Sequence, residues 1–165
     1  MIMTMSDLLI GVLLAAQLFV IAWIDARKMI IPDALNLLVA ATGAFVIAFQ
    51  QPSLLGWRVL EAIAVMSVLW GIARLYAQTR GQTGLGMGDV KFLGAATLWV
   101  GLAGMPWLVL FASLSGLGVV LLQHAFAGSA VARTTRLPFG PHLAAATLLT
   151  WLFQFSPVTE LGVLP

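Results

Sequence analysis

From Asp89 to Ala127 the chain runs for 39 positions with one charged side chain after the first, Lys91, and this run limits the fold more than any other feature. As a single α-helix at about 1.5 Å per residue it would reach nearly 60 Å, about twice the hydrocarbon thickness of a bilayer. The run must therefore turn back. The segment GLAGMP, Gly101 to Pro106, is where it can. Glycines relax the backbone, and proline tolerates a helix start but not a helix interior.

Apolar segments at about 7–24, 34–50, 55–77, 89–103, 106–127 and 138–156 predict six spans, several of them near the roughly 20 residues that cross a hydrocarbon core. A soluble fold is excluded by composition. Hydrophobic residues make up 61% of the 165, and eight Lys/Arg with six Asp/Glu cannot furnish a polar surface for most helices. The expected fold class is all-α, a polytopic membrane helical bundle of about six transmembrane helices forming a single domain over 1–165. The absence of cysteine excludes disulfides, thiolate metal sites and a cysteine nucleophile. The pI of 9.7 reflects a net charge of only +2 on scattered basic residues, which read as topology signals and not as a nucleic-acid surface.

Charge tests the span count independently of hydropathy. With six spans, Arg27, Lys28, Arg74, Arg80, Lys91, Arg133 and Arg136 all fall on one face, which the positive-inside rule makes cytoplasmic. Both termini, with Asp7 and Glu160, are then expected outside. The N-terminal segment lacks a basic region ahead of its apolar stretch, so a retained first span is expected there in place of a cleaved signal. Arg58 is the exception among the basic residues, and an ion pair with Glu61, three residues on, is the simplest reading. Small residues four apart, Ala112 and Gly116, suit close helix contact.

The acids then sort themselves. Asp25 closes the first span, Asp33 follows Pro32, and Asp89 opens the fourth span behind alternating glycines in GLGMGD, all at the cytoplasmic face. Ionisable residues at a membrane default to a functional reading with a named partner, and the most economical partner for Asp89 is Asp25. Two adjacent carboxyls share a proton, and such a pair can activate water against a peptide carbonyl with no metal or nucleophilic side chain. Gly84, Gly86 and Gly88 are expected to admit positive φ and close approach of another extended chain. The residues also allow a plain structural account: Asp89 as a helix N-cap and Asp25 as an interfacial charge paired with Arg27 or Lys28. Lys91 either tunes Asp89, contacts substrate or snorkels at a helix start. Pro138 and Gly140 either set the entry of the last helix or touch substrate, and Arg27 either orients Asp25 or marks topology. His124 and His142 do not have the spacing of a metal pair, so neither metal nor cofactor is expected.

Three segments in order, DARKMIIPDALN after the first span, GLGMGDVKFLGA opening the fourth and LPFGPHLA opening the sixth, resemble the type IV prepilin peptidase family. The likeness covers nearly the whole chain. It implies a membrane-embedded aspartyl endopeptidase with Asp25 and Asp89 as the catalytic pair. Supporting or substrate-binding roles are then expected around Gly86, Gly88, Lys91, Arg27, Pro32, Asp33, Pro138 and Gly140. The implied substrate is a pilin-like precursor whose short basic leader is cut at the cytoplasmic boundary, just before a hydrophobic helix. Long members carry a cytoplasmic insert with cysteine pairs and are associated with methylation of the new N-terminus. This sequence looks like the short form, found with tight-adherence (Flp) pili or among preflagellin peptidases, so the resemblance implies cleavage and not methyl transfer. Asp33 stands where asparagine is common and His142 where an aromatic residue is common. A presenilin-like peptidase also uses G-x-G-D but pairs it with a Tyr-Asp element that is absent here. A small transporter, or a non-catalytic pilus-assembly scaffold using the same acids structurally, is the alternative outside proteolysis.

Overall fold

In the computed structural model, which describes residues 4–81, 84–127 and 137–155, all regular secondary structure is helical. The order is α1 (Met5–Lys28), α2 (Asp33–Gln50), a 3-10 turn (Pro52–Leu54), α3 (Leu55–Arg80), α4 (Met87–Ala127) and α5 (Gly140–Phe153). Four helical stretches, Met5–Lys28, Asp33–Gln50, Pro52–Arg80 and Met87–Phe126, are long and apolar enough to cross a membrane. The chain is an all-α bundle of membrane type.

Local chemistry sets the boundaries. Thr4 and Asp7 form a reciprocal capping box at the start of α1, which ends with Met29 in the left-handed region, φ 53°, its N–H bonded to the Asp25 carbonyl. Only residues 29–32 then separate α1 from α2, whose N-cap is Pro32, so Asp25 and Asp33 are held at the same end of the bundle. Gly81, with φ 65°, closes α3 in the same left-handed way.

The long apolar run does turn back. α4 is broken at Gly101, where φ 71° and ψ 171° describe a conformation essentially restricted to glycine. Helix α5 lies alongside both limbs and fixes their directions. Its first turn is beside Gly116, which faces Phe139 and His142, while Gln154 just past its end donates to the Val100 carbonyl at 3.1 Å. The chain thus travels away from the Asp89 end along 87–100 and returns along 102–127. Helix resumes at once after the break, not at Pro106, which lies inside the second limb. The amide freed at the break is not left bare. Glu61 of α3 accepts the Leu102 N–H at 3.1 Å, Arg58 pairs with Glu61 at 3.4 Å, and the Arg58 guanidinium lies against Gly101 where a side chain would otherwise sit. A carboxylate at this position satisfies a donor that surrounding lipid could not.

The core is built from α1, α2, both limbs of α4 and α5, with Leu14, Ile21, Val39, Phe92, Leu108 and Leu143 excluded from the exterior. Trp99 adds a directional contact, its Nε1 donating to the Val39 carbonyl at 2.9 Å over Gly43, where an added Cβ would lie 2.8 Å from that nitrogen. Buried Thr97 and Thr147 bond carbonyls four residues back, so neither brings an unsatisfied hydroxyl inside. Large apolar side chains such as Phe45, Phe49, Trp57, Leu60 and Phe126 point outward, as a lipid-facing surface requires.

Candidate functional site

Asp25 occupies the last turn of α1, and its side chain is buried, 5% exposed. Its Oδ2 accepts the backbone N–H of Gly140 at 2.7 Å. Gly140 opens α5, so this N–H is one of the donors a helix start leaves without an intrahelical partner. A Cβ on Gly140 would stand 2.7 Å from Cβ, Cγ and Oδ2 of Asp25, which requires glycine for space alone.

Asp89 is the third residue of α4 and is half-buried. Its carboxylate folds back over Gly86, where an added Cβ would meet Oδ2 at 2.8 Å. Asp25 and Asp89 line one cavity of about 520 Å³, walled by the α1–α2 joint (Met29 to Ile31, Asp33), the glycine loop with Lys91, and Leu137 to Phe139. Three chain segments, 25–33, 84–91 and 137–139, therefore converge where the two carboxylates stand. This end also carries Arg27 and Lys28 at the end of α1, Arg80 at the end of α3 and Lys91. Arg58 lies at the opposite end beside the Gly101 break, and Asp7 joins it there on a smaller cavity with Gln50 and Gln154. Arg133, Arg136 and Glu160, which entered the topology argument, fall outside the described residues.

Several expectations change. Among the described residues only Met29, Gly81 and Gly101 have positive φ, so Gly84, Gly86 and Gly88 are not needed for left-handed backbone. They make room for the protein's own atoms: the Tyr76 ring at Gly84, the Asp89 carboxylate at Gly86, and Ile31 at Gly88. Lys91 does not pair with Asp89. Its Nζ bonds Asp33 Oδ2 at 2.6 Å on the cavity rim. Arg27 lies 4.0 Å over the Trp23 ring and not against Asp25. Pro32 acts through the backbone, its carbonyl accepting from Leu35 and Asn36, while Pro138 lines the cavity directly. His142 bonds Ser115, Nδ1 to Oγ at 3.0 Å.

Sequence reasoning missed Asn36 and the donor role of Gly140. Asn36 is buried, and its Nδ2 donates to the Gly88 carbonyl at 3.3 Å, tying α2 to the residue before Asp89. A polar side chain one turn into an apolar helix was the available signal.

Fold and site together define a class: a helical membrane protein whose two carboxylates, from separate helix ends, face one cavity. The comparisons make the class specific. The model of the type IV leader peptidase family matches residues 12–121, and the chain belongs to that family. It is 32% identical over 149 residues to a prepilin leader peptidase/N-methyltransferase of Aeromonas hydrophila, covering 88% of this chain and 49% of that protein. A protein of the same name from Burkholderia pseudomallei (strain 1026b) is 35% identical over 140 residues, 85% of this chain and 45% of its own length. One from Neisseria gonorrhoeae is 31% identical over 142 residues, 86% and 46% of the two chains. The chain spans about half the length of the curated relatives it matches. No solved structure matches it significantly.

Proposed function

We propose that the chain is an aspartyl endopeptidase that removes the leader of type IV prepilin-like precursors, Flp pilin, pseudopilin or archaellin in type. The observation that carries this reading is the convergence of Asp25 and Asp89 on one cavity in a member of the leader peptidase family. In the mechanism, the ionised carboxyl takes a proton from water as its oxygen bonds the scissile carbonyl carbon. The protonated carboxyl hydrogen-bonds the carbonyl oxygen as charge develops. Collapse breaks the C–N bond, a proton passes to the departing amine, and the products are a leader carboxylate and a shortened precursor. The pair acts as a unit, so neither role is fixed to one residue. No cofactor takes part, and methyl transfer is not assigned to these residues.

The basic residues grouped at the Asp25 end support an arrangement of six spans, with both termini outside and the aspartates facing the cytoplasm from the inner membrane. A basic leader would be drawn to Asp33 and the aspartates. The test is coexpression with a panel of precursors, Flp-type and longer, reading leader removal by intact mass beside membrane-inserted Asp25→Asn and Asp89→Asn. Cleavage by the parent and its loss in each variant is expected. Cleavage that survives either substitution removes that residue from the mechanism, and an inserted parent that cuts no precursor overturns the reading.

A further inference from the structure

Beside the aspartate cavity, a second hollow of about 440 Å³ lies between α2, α3 and the first limb of α4. Its walls run from Asp33 to Ala40, from Met66 to Val59 and from Lys91 to Leu98, each about two helical turns, or ~10 Å, deep. Below the rim the walls are apolar except for Asn36, and Ala40, Ala62, Gly94 and Ala95 keep them low. Asp33 and Lys91 line this groove and the aspartate cavity alike. Their 2.6 Å ion pair stands on the boundary, so cavity and groove adjoin at these two side chains.

We propose that this groove docks the membrane helix of the precursor itself, a proposal that rests on the peptidase reading above. A polypeptide with its scissile bond at Asp25 and Asp89 that continues into the membrane leaves the cavity beside Asp33 and Lys91. From there it must be helical, because lipid offers its backbone no hydrogen bonds. Small residues on all three walls let such a helix approach closely. Another large apolar hollow, between α1 and α5 and lined by Ala15, Phe19 and Ala145, shares no residue with the aspartate cavity. Asn36 on the groove wall also donates to the Gly88 carbonyl, which ties the docking surface to the turn before Asp89.

The chain contains no cysteine, so single introduced thiols report position cleanly. Ala62→Cys in the groove and Ala15→Cys in the other hollow would each be oxidised with a precursor carrying one cysteine in the first two turns of its helix. A disulfide at Ala62→Cys and none at Ala15→Cys is expected. In parallel, Ala62→Phe, checked for insertion and thermal unfolding, should raise KM for the full precursor at least ~10-fold. It should leave hydrolysis of a short leader peptide lacking the helix unchanged. The proposal is overturned by precursor cleavage without a cross-link at Ala62→Cys, which leaves the groove to lipid, by equal cross-linking at Ala15→Cys, or by cross-linked pairs of the chain itself. A cross-link at Ala62→Cys with no cleavage by the parent would keep the docking site and remove the peptidase reading.

Discussion

The N–H of Gly140 donates to Oδ2 of Asp25 across 2.7 Å, joining the last turn of α1 to the first residue of α5 over 115 positions of sequence. The bond fixes one carboxylate oxygen and aims Asp25 into the cavity it shares with Asp89. Gly140→Ala would push a methyl group into the carboxylate. We expect leader removal to fall more than ~10-fold while stability drops by about 1–3 kcal/mol, the usual cost of overpacking. Cleavage by intact mass and thermal unfolding in detergent separate the two effects.

Two carboxyls working as acid and base give a rate that needs one protonated and one ionised member. The pH profile of kcat/KM should be bell-shaped, and Asp25→Asn or Asp89→Asn should lower it by about 10²- to 10⁴-fold at every pH. A variant that retained one limb of the bell at parental rate would count against a shared-proton pair.

Lys91 offers a contrast. Its ion pair with Asp33 is exposed on both sides, 40% and 72%, so Lys91→Gln should cost less than ~1 kcal/mol of stability. With no bond to Asp89 to lose, kcat and the position of the pH profile should stay where they are. A displaced profile would show that Lys91 acts on Asp89 through space.

Gly101 combines a glycine-only backbone with a guanidinium packed where a side chain would be. Gly101→Ala should destabilise by at least about 1–3 kcal/mol and sharply reduce the folded yield. Glu61→Gln keeps an acceptor for the Leu102 N–H and should cost clearly less. Comparing unfolding midpoints of the two variants checks the order.

Trp99→Phe would keep most of the packing and strip one donor from the Val39 carbonyl, which keeps the Thr42 hydroxyl at 3.1 Å, so the cost should be about 0.5–1.5 kcal/mol for one lost hydrogen bond. Precursor cleavage at low temperature should be nearly unaffected, since Trp99 lies at the far end from the aspartates.

The fold was largely legible because a bilayer imposes lengths. The run from Asp89 to Ala127 was too long to cross once, and the glycine-containing turn was found at Gly101. The Arg58–Glu61 pair was readable from its three-residue spacing. Its use as a cap for Leu102 was not, because that contact spans 41 positions and exists only once α3 and α4 pack. The two aspartates stood out because charge is scarce. What surrounds them was less visible. Alternating glycines indicate absent side chains without saying whether backbone angle or space is the reason, and here Tyr76, Asp89 and Ile31 fill the space. The partners of Lys91 and Arg27 were likewise undetermined, since long side chains choose among neighbours that only the packed helices supply.

The break at Gly101 has a further consequence for the lipid. The limb 87–100 is about 20 Å long, and its neighbour α5 is similarly short, against a hydrocarbon core of about 30 Å. Acyl chains packed against this flank must shorten or tilt, at a fraction of a kcal/mol for each ångström of mismatch. Local thinning of the bilayer on this side is the expected response, and it would bring the water interface nearer the aspartates.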